Sequence, residues 1–295
     1  RGVNQVKRMI TKNAVPLLFA IVCLLGIYFA KMPTQFLIME VAKRLARNSF
    51  LVLSLIIPVV AGMGLNFGIV LGALAGQIAL ILSTHWEWAG LGGLGLTALL
   101  ATPLAILFGY LAGLTLNKAK GREMITGMVL GFFANGLYQF VFLFLVGTVI
   151  PFNNPRLRIS TSPGLRNTID LKLIKGSLDG IWQIQYGFTK LPMVTFGVIA
   201  LLSVCLWFFF RTKLGQDFRA IMSTVLAAWG QIIFLQNIGT LNTYNSHEQV
   251  GTFAIAALLI GGATVTRATI TQALTGTLLF HVLFVVSPMA GQAIF

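Results

Sequence analysis

Apolar runs separated by short polar connections dominate this chain. They fall at residues 14 to 30, 48 to 63, 66 to 83, 91 to 116, 124 to 150, 192 to 210, 221 to 238, 252 to 264 and 268 to 286. A hydrocarbon core about 30 Å thick, divided by a rise of about 1.5 Å per residue, needs roughly 20 helical residues per crossing. The pattern therefore predicts an all-α, polytopic bundle of about eight to ten helices, forming a single membrane domain over residues 1 to 295.

Two stretches depart from the pattern. GMGLNFGIVLGALAGQ, from Gly62 to Gln77, and GGATVTRATITQALTG, from Gly261 to Gly276, interrupt an apolar run with glycines and polar residues and then resume as helix. A lipid-facing helix has no reason to break, because an unmade backbone hydrogen bond in hydrocarbon costs several kcal/mol. Such breaks survive where protein or a watery cavity surrounds them, so discontinuous central helices beside a translocation route are expected. At an offset of 200 residues, Gly62, Ala73, Leu74 and Gly76 meet Gly262, Ala273, Leu274 and Gly276. These identities fit either a parallel internal repeat or a small-residue face for close helix packing.

Composition agrees with the pattern. Hydrophobic residues make up 57% of the chain and charged ones 9%, with a mean hydropathy of +0.87. This lies outside the range of soluble domains. The net charge of +14 does not indicate nucleic acid, because the 21 Lys and Arg lie in the connections and not along one helix face. Among short connections, residues 1–13 carry four, 117–123 three and 211–220 three. On the alternate side, 31–47 carries four, and 84–91 and 239–251 carry none. The bias puts the amino terminus in the cytoplasm.

The cluster Lys43, Arg44 and Arg47, set among Phe36, Leu37, Val41 and Leu45, reads as a short amphipathic helix at the outer interface. Residues 151–190, with six more cations and several Pro and Gly, read as an ordered, turn-rich external excursion that meets an external partner. Trp86 and Trp88 read as an interfacial anchor. Cys23 and Cys205 both lie inside apolar runs without a sequence partner, as buried small hydrophobes do. The first run lacks a small-residue cleavage site and is expected to remain in the mature protein.

No enzymatic constellation is found. His85, His247 and His281 are isolated in sequence, and HExxH, CxxC, GxSxG and GxxxxGK are all missing. His281, in LLFHVLF, fits an interhelical hydrogen bond or a role along a proton pathway. His247 beside Glu248 has the chemistry of an acid/base pair, but an exposed loop dipeptide is expected to be solvated. All seven acidic residues fall outside the runs or at their edges, which disfavours ion coupling and favours an uncharged polar solute. Asn66, Gln77, Asn135 and Gln139 offer amide donors and acceptors without charge, suited to sugar hydroxyls or nucleobase edges. Phe67, Phe132 and Phe133 are placed to stack on a ring or to face lipid.

Three segments carry a family resemblance. GMGLNFGIVLGALAGQ is similar to the glycine-rich break of permease subunits of bacterial ATP-binding-cassette importers, in the ribose, galactoside and nucleoside group with its branched-chain-amino-acid-type translocator. RTKLGQDFRA, from Arg211 to Ala220, resembles the group's cytoplasmic signature R-T-x-x-G-x-x-x-R-A. AIAALLIGGATVTRATI, from Ala254 to Ile270, resembles its later Ala-Ile-Ala and Gly-Gly segment. The resemblance runs from about residue 48 to the end, with 151–190 unaccounted for. The sugar branch has Asp near where Asn66 stands, and the nucleoside branch is matched only loosely by Asn66, Gly68 and Gln77.

The resemblance implies a fold like that of type II importer permeases and a translocation path built from Gly62, Gly64, Asn66, Phe67, Gln77, Asn135, Gln139, Gly261, Gly262 and Thr264. It implies coupling to an ATPase through Arg211, Lys213, Gly215, Arg219 and Arg267. It further implies a second permease subunit, identical or paralogous, two cytoplasmic ATP-binding subunits that hold Mg-ATP, and an extracytoplasmic solute-binding protein. This chain would bind no cofactor itself, would not be an enzyme, and would carry a pentose, a hexose or a nucleoside. The alternatives are an amino acid or vitamin as cargo of the same importer class, an ATP-independent channel or facilitator, and a structural membrane protein. The group also has a further cytoplasmic stretch with a short docking helix after this signature, and one more helix at its end. The expectation is that the molecule holds additional residues between Ala220 and Ile221 and beyond Phe295.

Overall fold

The computed structural model describes residues 13–61, 69–158, 163–186, 189–212 and 216–294. Among these, nine α-helices carry the fold: α1 (Ala14–Ala30), α2 (Thr34–Val60), α3 (Ile69–His85), α4 (Gly90–Lys118), α5 (Glu123–Phe140), α6 (Met193–Phe209), α7 (Gln216–Ile238), α8 (Ser246–Ile260) and α9 (Ile270–Ile294). A π-helical turn, Val141–Leu145, prolongs α5. Four short strands, β1 (Thr168–Asp170), β2 (Gln183–Tyr186), β3 (Thr189–Pro192) and β4 (Thr240–Asn242), make two antiparallel pairs, β1 with β4 and β2 with β3. Gly90–Lys118, Glu123–Leu145, Phe218–Ile238 and Ile270–Ala293 are long and apolar enough to cross a bilayer, and α1, α3 and α6 are shorter apolar helices. The protein is a helical membrane protein.

Helix α7 sits at the centre and divides the core. Leu226 and Ala227 pack with Leu53, Ile56 and Leu258, whereas Val225, Ala228 and Ile232 pack with Leu74, Leu80 and Ala101. Lipid is as apolar as leucine, so such helices are held by close packing and interhelical hydrogen bonds and not by expulsion of water. Small residues supply the closeness. A Cβ on Gly72 or Gly76 of α3 would strike the carbonyl of Thr224 or Ala228 on α7, and one on Gly109 of α4 would strike the Thr224 side chain. Thr224 Oγ1 also donates to the Ala105 carbonyl of α4 at 3.0 Å. The outward faces of α1, α4, α5 and α6 remain apolar and exposed, through Leu24, Leu99, Phe132 and Leu201 among others, as lipid-facing surfaces must.

One sequence expectation changes here. Lys43, Arg44 and Arg47 do not form a separate interfacial helix, because α2 runs unbroken from Thr34 through Val60. No glycine or proline stands between Gln35 and Ile57 to end it, and the Arg44–Glu40 pair, at 2.9 Å, bridges one turn. Helix α7 includes Ala220 and Ile221, and Ala220 packs on Leu116.

The segment after α5 is ordered, and it is tied to one end of the bundle. Strand β1 pairs with β4, placing Ile169 opposite Leu241. Gly90 N donates to Leu173 O at 2.9 Å, and Asn154 Nδ2 donates to the carbonyls of Thr84 and His85 at 3.2 and 3.3 Å. Leu157 and Ile169 are fully buried beneath it. The six cations of 151–190 therefore join the end that the short connections assign to the outside. Cys23 is buried, with Sγ 3.4 Å from Leu279 O, whereas Cys205 is exposed on α6, contrary to its expected burial.

Candidate functional site

Polar side chains meet where α3, α5 and the start of α8 converge. Gln77, on α3, is fully buried, and its Nε2 donates to Thr243 O at 2.5 Å and lies 2.8 Å from Tyr138 Oη. Tyr138 donates to the same carbonyl at 2.7 Å. Thr243 is fixed from behind, since its N donates to Asn167 O at 2.8 Å and its Oγ1 to Arg166 O at 2.6 Å. Beside it, Tyr244 Oη donates to Leu165 O at 2.9 Å, and burial raises the Tyr244 phenol above its ordinary range against that bond.

Asn135, one helical turn before Tyr138, joins the second half of the cluster. Its Nδ2 donates to the Glu248 carboxylate, and its Oδ1 accepts from Gln139 Nε2 at 3.3 Å and lies 2.8 Å from His247 Nε2. A carboxylate only accepts, which fixes the amide orientation; Oδ1 then only accepts, so His247 carries its proton on Nε2. The His247 ring meets Tyr138 edge-on, with centroids 5.1 Å apart. Gln77 Oε1 and His247 Nδ1 are buried and have no hydrogen-bond partner among the described residues. The result is a closed constellation of amides, a phenol, an imidazole and one carboxylate inside an apolar bundle. It can exchange hydrogen bonds with hydroxyl, amide or heterocyclic nitrogen groups. On its membrane side an apolar cavity of about 380 Å³ separates α3, α4 and α5, lined by Leu74, Phe108, Phe133 and Tyr138 among others.

The structure brings Gln77, Asn135 and Gln139 together and sets Gly261, Gly262 and Thr264 elsewhere. These three lie in the turn of the antiparallel hairpin α8–α9, roughly 20 Å from His247 along α8. Gly261 and Gly276 are packing positions: a Cβ on Gly261 would strike Gln272 O, and one on Gly276 would strike Ala257 O. Gly262 adopts φ +83°, and its carbonyl accepts from Gln272 Nε2 at 2.8 Å. Thr264 is exposed and accepts at Oγ1 from Arg267 N at 3.1 Å. Since Gly76 packs on α7 and Gly276 on α8, both members of the 200-residue pairing serve close helix approach. Gly62, Gly64, Asn66 and Phe67 lie outside the described residues, as do Lys213 and Gly215.

Of the remaining residues expected to couple, Arg211 stacks over the Trp207 ring at 3.7 Å from the centroid, and Arg219 is half-buried with Nε unpartnered among the described residues. Arg267 is exposed at the hairpin turn, at the end where α1 begins, since Asn13 and Pro16 border the same hollow as Gly261. Phe132 and Phe133 are exposed, and Phe133 borders the apolar cavity beside the cluster.

Sequence reasoning missed Tyr138, Thr243, His247 and Glu248 as members of the cluster. The expectation of a solvated His247–Glu248 dipeptide fails because both lie in the first turn of α8, where His247 is fully buried. Two signals were available: Asn135, Tyr138 and Gln139 share a helix face by their spacing, and Asn245 and Ser246 before His247 mark a helix start. His281 is buried with Nδ1 unpartnered among the described residues, beside Asn48 and Phe253 and apart from this cluster. No protein-family model matches the chain, and neither curated proteins nor solved structures provide a match.

Proposed function

We propose that this chain is the membrane subunit of an ATP-driven importer and forms the route for a small uncharged polar solute, a simple sugar or a nucleoside. One observation carries the reading: Gln77 of α3 converges with Asn135 and Gln139, one turn apart on α5, through Tyr138 inside an apolar bundle. Buried amides within an apolar bundle are costly unless they serve packing or a solute, and two atoms of this cluster have no partner among the described residues. In this reading the cluster is the closed form of a solute gate. The exposed hairpin turn with Arg267, together with Arg211 and Arg219, faces a separate cytoplasmic ATPase. A second permease subunit and an external binding protein complete the assembly, and the amino terminus lies in the cytoplasm of a bacterium.

The test is uptake of labelled ribose, galactose and nucleosides by cells expressing the intact complex. Asn135→Ala and Gln77→Leu should each cut uptake of one of these solutes by about tenfold while the subunits still assemble. Glu248 inside the cluster favours a second reading, an ion-coupled carrier. Loss of uptake on collapsing the proton gradient, with ATP maintained, would select it.

A further inference from the structure

At the membrane surface where α6 begins and α7 ends, a cavity of about 460 Å³ opens between α2, β3 and the segment before β2. Lys43, Arg47, Lys175 and Lys190 line it, together with Glu40 and Asp179. Both carboxylates are already engaged. Glu40 accepts from Arg44 at 2.9 Å, and Asp179 accepts from Thr195 Oγ1 at 2.5 Å and from Asn237 Nδ2 at 2.6 Å. None of the four cations forms an ion pair among the described residues, and the half-buried Arg47 has no hydrogen-bond partner for its Nε. Like charges converge on a concavity, and the carboxylates within it are held by other groups.

We propose that this cavity binds a phosphate-bearing anion. Four cations with an arginine among them suit the several oxygens of a phosphate better than a single carboxylate, and the arginine fork adds directional hydrogen bonds. The site stands at the level where helices end, and the adjoining residues Ile181, Trp182 and Ile184 are exposed apolar groups of the kind found at head-group depth. That setting favours the head group of an anionic phospholipid as the source. The site is separate from the amide cluster and does not rest on the transport reading.

The experiment compares wild type with Lys43→Gln/Lys190→Gln, and with Lys118→Gln/Lys120→Gln as a charge-matched control at the opposite end. One arm measures phosphatidylglycerol retained after purification from mixed phosphatidylglycerol and phosphatidylcholine nanodiscs. The other titrates delipidated protein in neutral detergent with inorganic phosphate and glycerol 3-phosphate. The expected result is about a tenfold loss of phosphatidylglycerol retention in the pocket variant alone, with thermal stability preserved. Wild-type-specific binding in the second arm would support the pocket with a soluble phosphate as its source. Lys190→Gln alone, on an exposed position, should show a smaller loss and guards against misfolding of the double variant. Equal behaviour of wild type and both pocket variants in both arms would overturn the proposal, as would equal retention of phosphatidylcholine.

Discussion

His247 Nε2 and Asn135 Oδ1 lie 2.8 Å apart, linking positions separated by 112 residues through a side chain with no exposed surface. The contact joins the first turn of α8 to the middle of α5, and through Asn135 it also holds the Glu248 carboxylate. Removing Asn135 would therefore strand three partners at once, His247, Glu248 and Gln139. Asn135→Ala should destabilise the solubilised protein by about 1–3 kcal/mol. Combined with Glu248→Ala, the second loss should be smaller than when Glu248→Ala is made alone, by about 1 kcal/mol. Denaturation of the four members of this cycle in mild detergent measures the coupling, and full additivity would mean the two side chains act independently.

The glycines separate by what a Cβ would meet. Gly276→Ala drives a methyl group into the Ala257 carbonyl, whereas Gly136, on α5, has open space around the same position. Gly276→Ala should cost more than about 2 kcal/mol, and Gly136→Ala should be neutral or gain up to about 1 kcal/mol from helix propensity. Thermal melting of the two variants checks this, and equal behaviour would deny the backbone contact between α8 and α9.

Much of this architecture was legible in the apolar runs. The run 14–30 coincides with α1, and the runs 91–116 and 192–210 differ from α4 and α6 by a residue or two at each end, because a span needs only length and apolarity. What the runs did not reveal is where polar residues meet. Asn135 and Gln77 were readable as unusual amides, but Glu248 looked like a loop residue because α8 is short and opens on SHEQ. Glu248 is half-buried just after β4, which pairs with β1 across about seventy residues, a contact the local sequence does not reveal. The glycine-rich segment at 261 read as a lining element, yet in the fold its first glycine is consumed by helix packing. A small residue serves close approach and conformational freedom equally well, and sequence spacing does not separate them.

The proposed orientation, amino terminus inside, is open to chemical labelling. In a variant with Cys23 and Cys205 replaced by Ala, a cysteine at exposed Lys172 should react with a membrane-impermeant maleimide in intact cells. One at exposed Lys120 should react only after the membrane is opened. The reverse result would invert the chain and put the six cations of 151–190 on the cytoplasmic side.

Arg267 is exposed in the hairpin turn, and the importer proposed above assigns it to the surface that meets the ATPase. Arg267→Ala should abolish stimulation of ATP hydrolysis by solute and binding protein while the ATPase subunits remain bound. Full stimulation in this variant would remove Arg267 from the coupling surface.

The central claim is an amide-lined polar gate in a membrane subunit driven by a separate ATPase. Its most direct test is to purify the chain under native expression, identify what accompanies it, and measure solute uptake in proteoliposomes with and without enclosed Mg-ATP on the ATPase side. The account predicts a co-purifying nucleotide-binding subunit and uptake that requires ATP and falls about tenfold in Asn135→Ala. Uptake of equal rate without ATP, or a purified assembly that lacks any ATPase, would contradict it.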